Sequence, residues 1–136
     1  MAGYSGTPLV KKLGIKDGFR AALVGAPVGF QNELIDLPGN VNFVTSTQDR
    51  LDFIMFFTKT RAELRLNFSR LAAKLAPTGM LWIAWPKRTS GVESDLSDNS
   101  VRDIGLEAGL VDVKVCAVNE IWSGLKFVIR VKDRAK

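Results

Sequence analysis

Trp85, Lys87, Arg88, Thr89, Ser90 and Gly91 close the stretch LAPTGMLWIAWPKRTSG, residues 75–91. Two cations beside two hydroxyls and a glycine have the makings of an oxyanion site. Arg grips phosphate or carboxylate through two parallel N–H groups, Lys adds a point charge, and glycine leaves a backbone N–H open to a ligand. Lys59 and Thr60, in the segment TKT at 58–60, offer the same chemistry. Gly25 and Gly29, in GAPVG, add a weaker element: a turn that lets backbone approach a ligand closely. These groups act together only if their loops leave one edge of one sheet, the carboxyl edge where α/β folds bind ligands.

Composition narrows the rival chemistries. The 136 residues contain no histidine and one cysteine, Cys116. A Ser-His-Asp or Cys-His arrangement is therefore impossible within the chain, and the usual metal ligands are missing, so no metal site is expected. Cys116 has no evident base beside it, which makes a small buried thiol the expected outcome. One cysteine also fits a reducing compartment. With no apolar segment of a leader and no run approaching the roughly 18 residues of a bilayer span, a cytoplasmic protein without membrane contact is expected.

The net charge is +5. Arg130, Lys132, Arg134 and Lys136 alternate near the C-terminus. They fit either a solvated edge strand guarded by its charges or a contact for nucleic acid. No basic run reaches the roughly 5–8 residues of a typical nucleic-acid patch, which favours the solvated strand here; the partner expected is a small anionic ligand at the sheet edge.

The pattern of apolar residues gives the elements that would position these groups. Thr7 and Pro8 read as the cap and first residue of a short helix that Gly14 stops. Strands are expected at 19–24, 41–45, 51–57 and 80–85. The unbroken apolar run LDFIMFF at 51–57 implies burial on both faces, as in a parallel sheet. A weak helix is expected near 30–37. The clearest helix runs from Thr60 to Ala76, with Leu64, Phe68, Leu71 and Leu75 on one face. Arg61, Arg65, Arg70 and Lys74 form a basic stripe elsewhere on it, read as solvated. Pro77 and Gly79 then turn the chain into the strand at 80–85. Ser94, Asp95 and Ser97 compete to cap a helix ending at Ala108, and strands at 113–118 and 125–131 close the chain as a hairpin.

The alternation predicts a single α/β domain, a three-layer Rossmann-like fold whose mostly parallel sheet ends in a C-terminal antiparallel hairpin, with its core over 8–131 and a basic tail at 132–136. Only about five residues separate Thr45 from Leu51, too few for a helical crossover. That link is either an extended return or a sign that the two strands pair antiparallel.

From LDFIMFF onward the layout resembles the second half of a class I S-adenosylmethionine-dependent methyltransferase: strand, long helix, a Leu75-x-Pro77-x-Gly79 turn, strand, helix and hairpin. The chain is also similar, through AGYSGTPL (2–9), KLGI (12–15), WPKRTSGV (85–92), GLVDVKVCAV (109–118) and IWSGLKFVIR (121–130), to a bacterial family catalogued only as a domain of unknown function. That second likeness implies no activity. The first implies S-adenosylmethionine at GAPVG, with a carboxylate at the end of the second strand. Here Pro27 removes a donor between Gly25 and Gly29, and Thr45, Ser46 and Thr47 stand where the carboxylate would be. A scaffold that has lost the cofactor is the expectation, with a minimal methyltransferase as the alternative.

Three further features stand apart. Trp82 and Trp85, three positions apart, should face opposite sides of the sheet, Trp82 in the core and Trp85 at its edge. Trp122, in the hairpin connection, is expected to be exposed and to mark a partner surface. Tyr4, Ser5 and Thr7 could fold over a site, or form a turn before the first helix. The basic helix stripe and the terminal hairpin are the surfaces through which a homodimer would form.

Overall fold

The computed structural model describes residues 7–134. Tyr4, Ser5 and Lys136 lie outside them. Four parallel strands, β1 (Arg20–Val24), β2 (Asn42–Phe43), β3 (Leu51–Phe57) and β4 (Leu75–Pro86), share one sheet with β5 (Leu110–Ala117) and β6 (Trp122–Ile129). The order is β2-β1-β3-β4-β6-β5, and β6 runs antiparallel to both of its neighbours. Helices α2 (Arg61–Ala72) and α3 (Asp98–Glu107) cover one face, and α1 (Leu9–Leu13) with a 3-10 turn at Phe30–Glu33 covers the other. This is the expected three-layer Rossmann-like arrangement. Among the described residues no helix is long and apolar enough to cross a membrane.

Alternation along β3 and β4 sorts the core. Ile54, Phe56, Leu81, Ile83 and Trp85 meet Leu64, Phe68 and Leu71 of α2 and Val101 and Ile104 of α3. Phe53, Met55, Phe57, Met80, Trp82 and Ala84 point the other way, toward Val10, Leu13 and Phe30. Trp82 and Trp85 thus face opposite sides, as their spacing requires. The Trp82 indole N–H is completely buried and donates to Leu13 O at 2.9 Å, which fixes α1 to the sheet.

Several boundaries differ from the sequence pattern, each for a physical reason. The helix expected to reach Ala76 stops at Ala72, because Leu75 pairs with Leu51 and Lys74 O accepts from Leu51 N at 2.9 Å. The segment LAPTG is therefore the start of β4, carrying an irregularity in register, and not a turn before it. Gly79 is needed there because a Cβ would lie 2.5 Å from Leu51 O. The helix expected at 30–37 is a single 3-10 turn. The strand expected at 41–45 is two residues long and pairs parallel with β1, as β3 does, so residues 44–50 link β2 to β3 across β1 through turns and bends, neither an extended return nor an antiparallel pairing. Pro8 occupies the cap position of α1, one residue later than Thr7.

At the other end β5 begins at Leu110 and β6 at Trp122, three residues earlier than expected in each case, and Val131, expected in the last strand, opens a 3-10 turn over residues 131–133. The final strand is not an edge. It lies between β4 and β5, so the edge belongs to β5, whose register slips at Val113. Trp122 is buried, not exposed; its ring meets Phe57 edge to face at 5.1 Å.

The contact at Gly79 gives a direct test. Gly79→Ala sets a methyl against a backbone carbonyl that the β3–β4 pairing holds in place, and overpacking of this kind costs about 1–3 kcal/mol. Urea unfolding should show a loss in that range. An unchanged midpoint would mean that the start of β4 is free to move away from Leu51.

Candidate functional site

Because β1, β3 and β4 are parallel, the loops after them leave the same edge of the sheet. They then part. The chain after β3 enters α2 on one face, and residues 86–97 follow it to that face, where Leu96 joins the α2–α3 core. The chain after β1 folds to the opposite face and buries Phe30 there.

Residues 92–96 are strapped across the β3–α2 loop. Ser94 Oγ donates to Lys59 O at 2.7 Å, Asp95 N donates to the same carbonyl at 3.2 Å, and the Asp95 carboxylate accepts from Arg61 N at 2.8 Å. The strap leaves a cleft of about 510 Å3 lined by Arg61, Lys87, Arg88 and Gly91 together with Glu93, Asp95 and Ser97. A neighbouring hollow of about 520 Å3 touches Lys59 and Thr60 across the same strap. A smaller one, about 230 Å3, has Trp85, Lys87 and Arg88 on its wall.

The sequence candidates divide accordingly. Lys87, Arg88 and Gly91 come together, and Arg61 joins them, although as part of a helix stripe it reads as merely solvated. Lys59 lines the neighbouring hollow and not this cleft. Trp85 is buried in the α2–α3 core and shows only an edge to the small hollow. Thr89 is exposed and lines none of these three hollows. Two hydroxyls are already committed. Thr60 Oγ1 accepts from Glu63 N at 3.1 Å and caps α2, and Ser90 Oγ donates to Lys87 O at 2.7 Å while accepting from Val92 N. Asp95, Glu93 and Ser97 are absent from the sequence candidates, since ESDLS reads simply as a choice of helix caps. Ser97 is the cap that α3 uses.

The electrostatics follow from these contacts. An anion at the N-terminus of α2 is favoured by its free N–H groups, but Asp95 already fills that place. What remains is Lys87 and Arg88, whose side chains have no hydrogen-bond or ion-pair partner among the described residues. The two ion pairs found there, Lys74–Asp49 at 3.5 Å and Arg102–Asp112 at 3.0 Å, lie elsewhere. Lys87 is held by its backbone, whose N–H donates to Ile121 O at 2.7 Å. Among the described residues no group of three Cys or carboxylate side chains stands close enough to hold a metal ion.

The turn after β1 does not fit a nucleoside cofactor. Gly25 has φ +69°, and a Cβ there would lie 2.9 Å from Phe57 O, so the chain's own backbone accounts for this glycine. Pro27 brings no donor, and its carbonyl takes the N–H of Phe30, while Gly29 O takes that of Asn32. Phe30 lies edge-on to Phe57 at 4.8 Å, filling the space beside the strand ends. Past β2, Thr45 and Thr47 bond to each other, and Asp49 turns to Lys74 at the opposite edge of the sheet.

Cys116 is half-buried on β5. Burial pushes its thiol above the ordinary range, against the opposing pull of Lys12 and Lys114. The folded chain therefore holds this proton longer than the unfolded chain does. Alkylation by iodoacetamide should rise with pH later in the native protein than in urea; a native midpoint at or below the denatured one would refute this.

No family model matches the chain and no curated protein matches it, so the likeness to a family of unknown function rests on the quoted strings alone. Solved structures do match. A SAM-dependent methyltransferase from Aquifex aeolicus aligns over 88% of this chain and 86% of its own, at 18% identity and a TM-score of 0.62. Precorrin-6y C5,15-methyltransferase from Geobacter metallireducens aligns over 89% and 85%, at 10% identity and 0.62. Fibrillarin from Aeropyrum pernix, with natively bound S-adenosyl-L-methionine, aligns over 93% and 70%, at 12% identity and 0.60. At these identities the likeness speaks for the fold alone, and the fold is that of the Rossmann-like methyltransferases.

Proposed function

We propose that this chain is a methyltransferase-like scaffold that binds an anionic, phosphate- or carboxylate-bearing ligand in the cleft between Arg61, Lys87 and Arg88. The observation that carries the reading is that Lys87 and Arg88 line a hollow of ligand size with their charges unpaired. Arg88 offers a two-pronged donor, Lys87 a second charge, and Gly91 an approach without side-chain obstruction. Glu93 and Asp95, which line the same cleft, bias the site toward ligands that also carry a donor or a positive group. Asp95 has a second task, since it fixes the N-terminus of α2 and so the position of Arg61.

Inorganic pyrophosphate is a suitable first probe. Calorimetry should detect binding to the wild type, and Lys87→Ala with Arg88→Ala should weaken it tenfold or more, since each bond to a charged group is worth about 1.5–3 kcal/mol. Equal affinity in the double variant would remove the cleft as the site. Native mass spectrometry of the protein as isolated would then identify what it carries from the cell.

A second reading, a minimal S-adenosylmethionine-dependent methyltransferase, draws support from the fold of its structural neighbours. Against it stand Pro27, Phe30 and the missing carboxylate after β2. Heat on adding S-adenosylmethionine or its demethylated product at millimolar concentration would favour this reading; no heat would eliminate it.

A further inference from the structure

A second group of cations lies on the opposite face of the sheet, where the β5–β6 hairpin meets α1. Strand pairing sets Lys114 directly opposite Lys126. Cβ atoms so placed are about 5 Å apart, and like charges there destabilise a sheet. Lys114 Nζ donates to Lys12 O at 2.9 Å, and Lys12 Nζ donates back to Ala117 O at 3.1 Å. Lys126 reaches the turn that ends α1, since a Cβ on Gly14 would lie 3.8 Å from its Nζ. Burial first, then the charges of Lys114 and Lys16, push the Lys126 ammonium below its ordinary range.

Four lysines therefore surround one helix end. Lys16, Lys114 and Lys126 make no ion pair among the described residues. The C-terminus of α1 draws cations, but a helix end presents only about half a negative charge, and α1 has five residues. A single ammonium balances that. Carbonyl bonds explain Lys12 and Lys114, and leave Lys126 and Lys16 as charge in excess.

We propose that Lys16, Lys114 and Lys126 form a second anion site, on the α1 face of the β5–β6 hairpin, for a multiply charged phosphate group. The ligand would lie across the hairpin face and relieve the Lys114–Lys126 repulsion. It would also steady α1, whose Lys12 carbonyl accepts from Lys114 Nζ. This site is independent of the cleft at Lys87 and Arg88, which opens on the α2–α3 face.

The test uses the full chain carrying Lys87→Ala and Arg88→Ala, which silences the cleft, with inorganic pyrophosphate at constant ionic strength. In that background pyrophosphate should still bind and raise Tm. Lys126→Met, which keeps the apolar stem, should raise Tm without pyrophosphate and weaken its binding at least tenfold. Lys16→Glu, at an exposed position where folding is not at risk, supplies a carboxylate from the chain itself and should do the same. Absence of pyrophosphate binding in the background overturns the proposal, as does affinity unchanged within twofold in Lys16→Glu. Failure of the cleft alone gives a different result: the wild type binds one pyrophosphate, and Lys16→Glu removes it.

Discussion

Burial of β3 and β4 on both faces is the constraint from which the other features follow. Two strands that read LDFIMFF and MLWIAW have no solvent side, and each face needs a covering layer. On one face two full helices provide it. On the other the chain has only a five-residue helix and a single 3-10 turn. Large side chains make up the difference: Phe30, Phe57 and Trp122 meet edge to face, and Trp82 reaches across to bond Leu13.

That thin layer determines where ligands can go. In a sheet covered by a full helix after β1, the turn between them can stay open to a nucleotide. Here the same turn has to deliver Phe30 to the core, and its glycine has to clear Phe57 O. Packing accounts for this short segment through Phe30 and Gly25. The loops on the better-covered face carry no such burden. Residues 86–97 bury only Pro86 and Leu96 and leave their cations facing a cleft.

Much of this was legible in the sequence, where the physics is local. Strand parity separated Trp82 from Trp85, and an unbroken apolar run marked β3 as central. Pro27 already weakened the cofactor turn that Gly25 and Gly29 suggested. What escaped were decisions made by distant partners. Ala73 to Ala76 carry good helix formers, and Leu75 continues the helical spacing, yet pairing with Leu51 draws that segment into β4. Trp122 sits in a connection, where exposure is the ordinary expectation, and only the ring of Phe57 shows why it is buried. In the cleft, Lys87 and Arg88 were visible as types, while Arg61 and Asp95 entered through a backbone-to-carboxylate bond spanning 34 positions.

The order of the sheet bears on how the molecule is assembled. β6 follows β5 in the chain but lies inside it, hydrogen-bonded to β4 on one side and β5 on the other. A chain emerging from the ribosome can pair β1, β3 and β4 early, yet β5 has no neighbour to join until residues 122–129 arrive. Until then the outer edge of β4, with Leu81 and Ile83, stays unpaired. Synthesis of this protein thus includes an interval in which a long apolar strand edge is open to other chains, and insertion of β6 ends it.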